Sequence, residues 1–79
     1  MIHELDTVVL THDIEAHSLK QGDLGAVVHC YGGGHAFEVE FVTADGGTVA
    51  LLTLTSADIR PMESREILHV RALAPPAVQ

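Results

Sequence analysis

Residues 24–54, LGAVVHCYGGGHAFEVEFVTADGGTVALLTL, hold three apolar segments separated by two glycine-rich breaks. The segments are rich in Val, Phe, Leu and Thr, residue types that suit a pleated, half-buried surface. Asp45-Gly46 between alternating apolar runs is among the strongest short-range hairpin signals, and Gly32-Gly33-Gly34-His35 reads as a second turn. Tips at Gly33-Gly34 and Asp45-Gly46 predict strands over residues 24–31, 36–43 and 48–54. Tyr31 then faces Ala36, Cys30 faces Phe37, Val28 faces Val39 and Ala26 faces Phe41. On the second hairpin Phe41 faces Ala50, Val39 faces Leu52 and Phe37 faces Leu54. Directly opposed side chains share a face, so both hairpins gather one apolar set: Ala26, Val28, Cys30, Phe37, Val39, Phe41, Ala50, Leu52 and Leu54. A slip of one residue in either hairpin would break that agreement.

A three-stranded sheet with one apolar face needs a cover. Upstream, DTVVLT at residues 6–11 reads as a first strand, and the polar stretch 12–23 as a long loop holding at most a helical turn. Downstream, residues 55–59 (TSADI) suit a helical or 3₁₀ turn with Ser56 as its N-cap. Arg60-Pro61 follows as a brief extended edge piece, since proline cannot donate within a central ladder. Val8, Leu10, Ile14, Leu19, Leu24 and Ile59 are available to cover the sheet. The expected fold is therefore all-β, a strongly bent antiparallel meander closing into a small SH3-like barrel over residues 1–61. The alternative is an open antiparallel sheet covered by a C-terminal helix over residues 63–73. Residues 62–79 form an extension, partly flexible or packed on the barrel, with fraying expected for APPAVQ at residues 74–79.

Composition narrows the function classes. Eleven acids face four bases, a formal charge of −7, and Lys20 is the only Lys or Arg in the first 59 residues. Phosphate neutralisation needs cations, so no nucleic-acid partner is expected. The single cysteine, Cys30, excludes an internal disulfide and fits a reducing cytoplasm. The opening MIHELDTVVLTHD has no basic stretch ahead of an apolar one and does not read as a signal peptide. No apolar run approaches the ~18–20 residues of a membrane span.

Several motifs invite chemistry. Lys20-Gln21-Gly22-Asp23-Leu24-Gly25 reads as a turn opening a barrel strand, with Gly22 and Gly25 taking backbone angles other residues resist and Asp23 capping it. The triple glycine joins two strands and does not lead into a helix, so it is a hairpin turn and not a phosphate cradle. Of six histidines, His12 and His17 lie near Asp13 and Glu15 and are the weak metal candidates. Zinc needs three or four converging ligands, and neither a metal site nor a cofactor is expected. Cys30 points toward the core and no serine has a base partner, so the chain is not read as an enzyme.

The outward face is more informative. Opposite the core set lie Val27, His29, Tyr31, Glu38, Glu40, Val42, Val49, Leu51 and Thr53, with His29 facing Glu38. Solvated strand faces are ordinarily polar. Val27, Tyr31, Val42, Val49 and Leu51, with Glu38, Glu40 and His29 beside them, form a candidate partner-binding surface. An acidic rim favours a basic partner.

The runs ELDTVVLTHDIEAHSLKQGDLGAVVHCY, AFEVEFV and TLTSADIRP together resemble small bacterial and cyanobacterial proteins known only as a domain of unknown function. The shared pattern is Leu-x-x-Gly-Asp-x-Gly-x-Val-Val, then Glu-Val-Glu-Phe, then Asp-Ile-Arg-Pro, over residues 4–61. The resemblance implies an SH3-like barrel without an assigned activity, and an antitoxin-like or accessory binding role. The leading expectation is a non-catalytic protein-interaction module in the cytoplasm, binding a protein partner or a second copy through the outer face. A His/carboxylate metal-binding accessory and a KOW-like RNA-binding barrel are the alternatives, the latter opposed by charge.

Overall fold

The computed structural model describes residues 1–73; the expected fraying of residues 74–79 lies outside them. Five strands form one antiparallel sheet: β1 (Thr7–Leu10), β2 (Leu24–Tyr31), β3 (Ala36–Val42), β4 (Thr48–Leu54) and β5 (Ile59–Pro61). Their spatial order is β4-β3-β2-β1-β5, so the chain returns after β4 to pair its last short strand with its first. This is the strand order of a small SH3-like barrel, bent over one core and open between β4 and β5. A 3₁₀ turn, Glu15–His17, sits in the long loop between β1 and β2. The extension carries no helix: among residues 62–73 there is neither helix nor strand.

The core joins Val8, Leu10, Leu19, Val27, Phe37, Val39, Phe41, Ala50, Leu54 and Ile59, with Ile14, Cys30, Val49 and Leu52 half-buried against it. No polar side chain is buried among the described residues, so the interior is held by apolar area alone. Both hairpins form, and Tyr31↔Ala36, Cys30↔Phe37, Phe41↔Ala50, Val39↔Leu52 and Phe37↔Leu54 pair as expected.

Two bulges separate the observed register from the expected one. On β2 the pairing runs His29↔Glu38, then Val27↔Val39 and Ala26↔Glu40, with Val28 left over. One extra residue reverses every side chain beyond it. Val27 therefore goes to the core at 0% exposure, while Ala26 turns outward and Val28 stays 43% exposed. On β4 a second irregularity falls between Phe41↔Ala50 and Val42↔Thr48. Val49 turns half-buried against the core instead of outward.

Two turn assignments also change. Gly22 does take φ +93°, and Asp23 caps that turn by accepting the Lys20 N–H at 2.8 Å. Gly25 does not have a positive φ; it is glycine because Val39 and Phe41 lie where its side chain would be. In the turn before β5 the cap is Thr55 and not Ser56: Thr55 Oγ1 accepts the Ala57 N–H at 3.2 Å, and Asp58 accepts the Thr55 N–H at 2.9 Å.

Candidate interaction surface

The face of β2–β4 away from the core is built from rows of opposed residues. Ala26, Glu40 and Leu51 form one row, and His29, Glu38 and Thr53 the next. Strand alternation delivers both glutamates of Glu38-Val39-Glu40 to this side while Val39 goes inward. Each carboxylate is held by a threonine of β4. Thr53 Oγ1 donates to Glu38 at 2.6 Å, and Thr48 Oγ1 donates to Glu40 at 2.7 Å. These bonds tie both acids across to β4, where Leu51, opposite Glu40, is 52% exposed. Tyr31 stacks edge-on against His29 with ring centroids 4.5 Å apart, and Val42 is 54% exposed. His29 Nδ1 lies 3.5 Å from a Glu4 carboxylate oxygen, an exposed pair of little energetic weight. Asp45 at the second hairpin accepts a hydrogen bond from Thr43, which holds its carboxyl below the usual range. From residue 24 to 54 there is no Lys or Arg.

Of the residues expected here, His29, Tyr31, Glu38, Glu40, Val42 and Leu51 are brought together on this face. Val27 and Val49 are not, because the two bulges turn them inward. Thr48 was missed by sequence reading: it pairs with Val42 and meets Glu40 on the diagonal, an arrangement set by the bulge at Val49, which carries no local signal.

Two of the chain's four Lys and Arg residues are occupied elsewhere. Arg60, opposite Val9 on β1, binds Glu66 through two bonds of 2.8 and 2.5 Å. The guanidinium and the Glu63 N–H together lower the Glu66 carboxyl to about 2. Arg71 binds Asp23 at the start of β2 and also the Ser18 carbonyl at 3.0 Å. That guanidinium, more than any other contact, lowers the Asp23 carboxyl. The extension thus starts at β5 and is tied back beside β2, on the far side of β1. Among Lys and Arg this leaves Lys20 and Arg65 outside the ion pairs of the described residues.

His12 and His17 do not converge. His12 Nε2 meets Asp58 Oδ1 at 2.8 Å and its Nδ1 lies 2.9 Å from the Asp13 carbonyl, while His17 ends the 3₁₀ turn. Among the described residues no three His, Cys, Asp or Glu side chains gather as a metal would require. The His12–Asp58 contact instead joins the long loop to the β4–β5 turn. The Asp58 carboxylate raises the His12 pKa above 6.5, and the Thr55 N–H, followed by His12, lowers that of Asp58. A raised histidine stabilises below its unfolded pKa and loses that contribution as pH rises through its folded value. A lowered aspartate stabilises above its unfolded pKa and loses it as pH falls through its folded value. The contact is therefore strongest between roughly pH 4 and 6.5. By NMR titration, Asp58→Asn, which keeps an oxygen for the Thr55 N–H but removes the charge, is expected to return His12 toward 6.5. Asp58→Ala, which also removes the cap, is expected to cost about 1 kcal/mol by denaturant unfolding. An unchanged His12 titration would show that the two groups do not meet in solution.

Fold and surface together define a small SH3-like barrel with an acidic, partly apolar outer sheet. Residues 4–61 match the family described as Domain of unknown function (DUF4926), and the chain belongs to it. No curated protein and no solved structure matches the chain. No helix among the described residues is long and apolar enough to cross a membrane.

Proposed function

We propose that this chain is a non-catalytic protein-interaction module of the cytoplasm, taking a basic partner protein on the outer face of β2–β4. An antitoxin-like neutraliser or an accessory subunit is the concrete form. The observation that carries the reading is one surface: Tyr31, Val42 and Leu51 exposed around two threonine-held glutamates, with no cation from residue 24 to 54. Exposed apolar side chains supply area to bury, and the fixed carboxylates select a positive partner and speed its approach. The same charge opposes an RNA-binding role.

The test is cross-linked affinity capture from the native host with wild type and the double variant Glu38→Lys/Glu40→Lys. A basic protein is expected with wild type at low salt, diminished at high salt and absent from the charge-reversed variant. No partner, or one retained equally by the variant, would overturn the reading.

A further inference from the structure

The two edges of the sheet differ in kind. At one end β5 has only three residues, contains Arg60 and ends on Pro61. Shortness, charge and proline are the devices that stop an edge from recruiting another strand. At the other end β4, TVALLTL, has seven residues and no charge, proline or glycine. Its bulge falls near the hairpin at Val49 and leaves residues 50–54 in unbroken register with β3. Among the described residues no backbone hydrogen bond reaches residues 50–54 from any segment but β3. One edge is closed and the other is open.

We propose that the β4 edge pairs with the β4 edge of a second copy, antiparallel about a two-fold axis at Leu52, joining two sheets into one of ten strands. Three arguments select this occupant. The first is register. Residues 50, 52 and 54 face inward while 51 and 53 face outward. A two-fold across the sheet must oppose like faces, and centring on Leu52 pairs all five residues: Ala50 with Leu54, Leu51 with Thr53, and Leu52 with itself. Centring on Leu51 would bring the bulged Val49 against Thr53, inward against outward.

The second argument is charge. Each copy carries −7, so contact through the acidic face would be repelled. Across the β4 seam, Glu38 and Glu40 on β3 are three strand spacings from the partner's acids, about 14 Å. That exceeds the Debye length of about 8 Å at physiological ionic strength. The third is closure. With a single open edge per chain the contact is isologous and stops at two, whereas two open edges would build a fibre. A five-residue seam is small, and a weak, concentration-dependent dimer is expected.

Disulfide trapping tests the register. In a Cys30→Ala background, Leu51→Cys and Thr53→Cys are oxidised separately and as an equimolar mixture. Directly opposed residues lie about 4.5–5.5 Å apart at Cα, inside disulfide range, whereas diagonal ones lie about 7–8 Å apart. The mixture is expected to form cross-linked dimer at least about tenfold faster than either variant alone. Sedimentation of the wild type should show dimer growing as salt is raised, the opposite of binding to a basic partner. A mixture that cross-links no faster than its components, or a dimer that salt dissolves, overturns the seam. The capture of a basic partner is read out separately, by Glu38 and Glu40, so one proposal can fail without the other.

Discussion

Val27→Asp is expected to unfold the domain or lower its melting temperature by about 20 °C or more, while Val28→Asp, one residue away, is nearly neutral. Val27 is wholly buried opposite Val39, among Val8, Phe41 and other apolar groups, with no buried polar side chain near it. A carboxylate there has no partner, and an uncompensated buried charge costs about 3–5 kcal/mol. A 79-residue chain has only about 4–12 kcal/mol of total stability to lose. Val28 is the extra residue of the bulge and 43% exposed, so its aspartate stays in water and costs less than about 1 kcal/mol. Without the bulge the two outcomes would be exchanged. Thermal melts of the two variants, followed by circular dichroism, decide the register of β2. Equal effects, or a larger loss at Val28, would falsify it.

That pair marks where the sequence stopped being legible. Residues 24–54 announced their hairpins because turn chemistry and alternation are local, and β2 and β4 begin and end where the glycines imply. A bulge leaves no such mark. Ala26, Val27 and Val28 are all small and apolar, so either register gives an acceptable inward set, and only closure over β1 chooses between them. β1 pairs Thr7 with Ala26 and Val8 with Gly25. This needs Val8 and Gly25 on the core face and therefore Val27 as well. The choice rests on contacts between residues about twenty apart in the chain.

The candidate surface was legible to the same extent. His29, Tyr31, Glu38 and Glu40 lie on the stretch whose alternation is regular, and they face outward as expected. Val27 and Val49 each lie at a bulge and were misplaced with it. The ties of the extension, Arg60 to Glu66 and Arg71 to Asp23, could not be foreseen. The second joins residues 48 positions apart, and neither spacing nor composition proposes it. Together the ties pair two of the four cations with Glu66 and Asp23, neither of which lies among the outward acids Glu38 and Glu40.

Gly25→Ala carries the other large effect, and for a reason different from the one its turn-like sequence suggests. A Cβ at this position would stand 2.6 Å from Val39 Cγ1 and 2.8 Å from Phe41 Cε2. Both neighbours are buried core residues that cross over the β2 backbone here. Valine is stiff about χ1, and the phenyl ring is enclosed, so neither yields without moving the core. Overpacking of this kind costs about 1–3 kcal/mol, which in a domain this small lowers the melting temperature by roughly 4–8 °C per kcal/mol. Gly22 provides the contrast, having φ +93° and nothing within 4 Å of an added Cβ. Gly22→Ala should cost about 1 kcal/mol through backbone strain alone. The two mechanisms separate in a double-mutant cycle with Val39→Ala. Trimming Val39 removes the nearer of the two side chains in the way of the added methyl group and gives Phe41 room to shift. The pair is therefore expected to be less destabilised than the sum of its singles by about 1 kcal/mol. The same cycle with Gly22→Ala should add without coupling, since that strain lies in the backbone and no neighbour can relieve it. Additivity at Gly25 would mean that its glycine serves the backbone after all, and that Val39 and Phe41 do not close over β2 in solution.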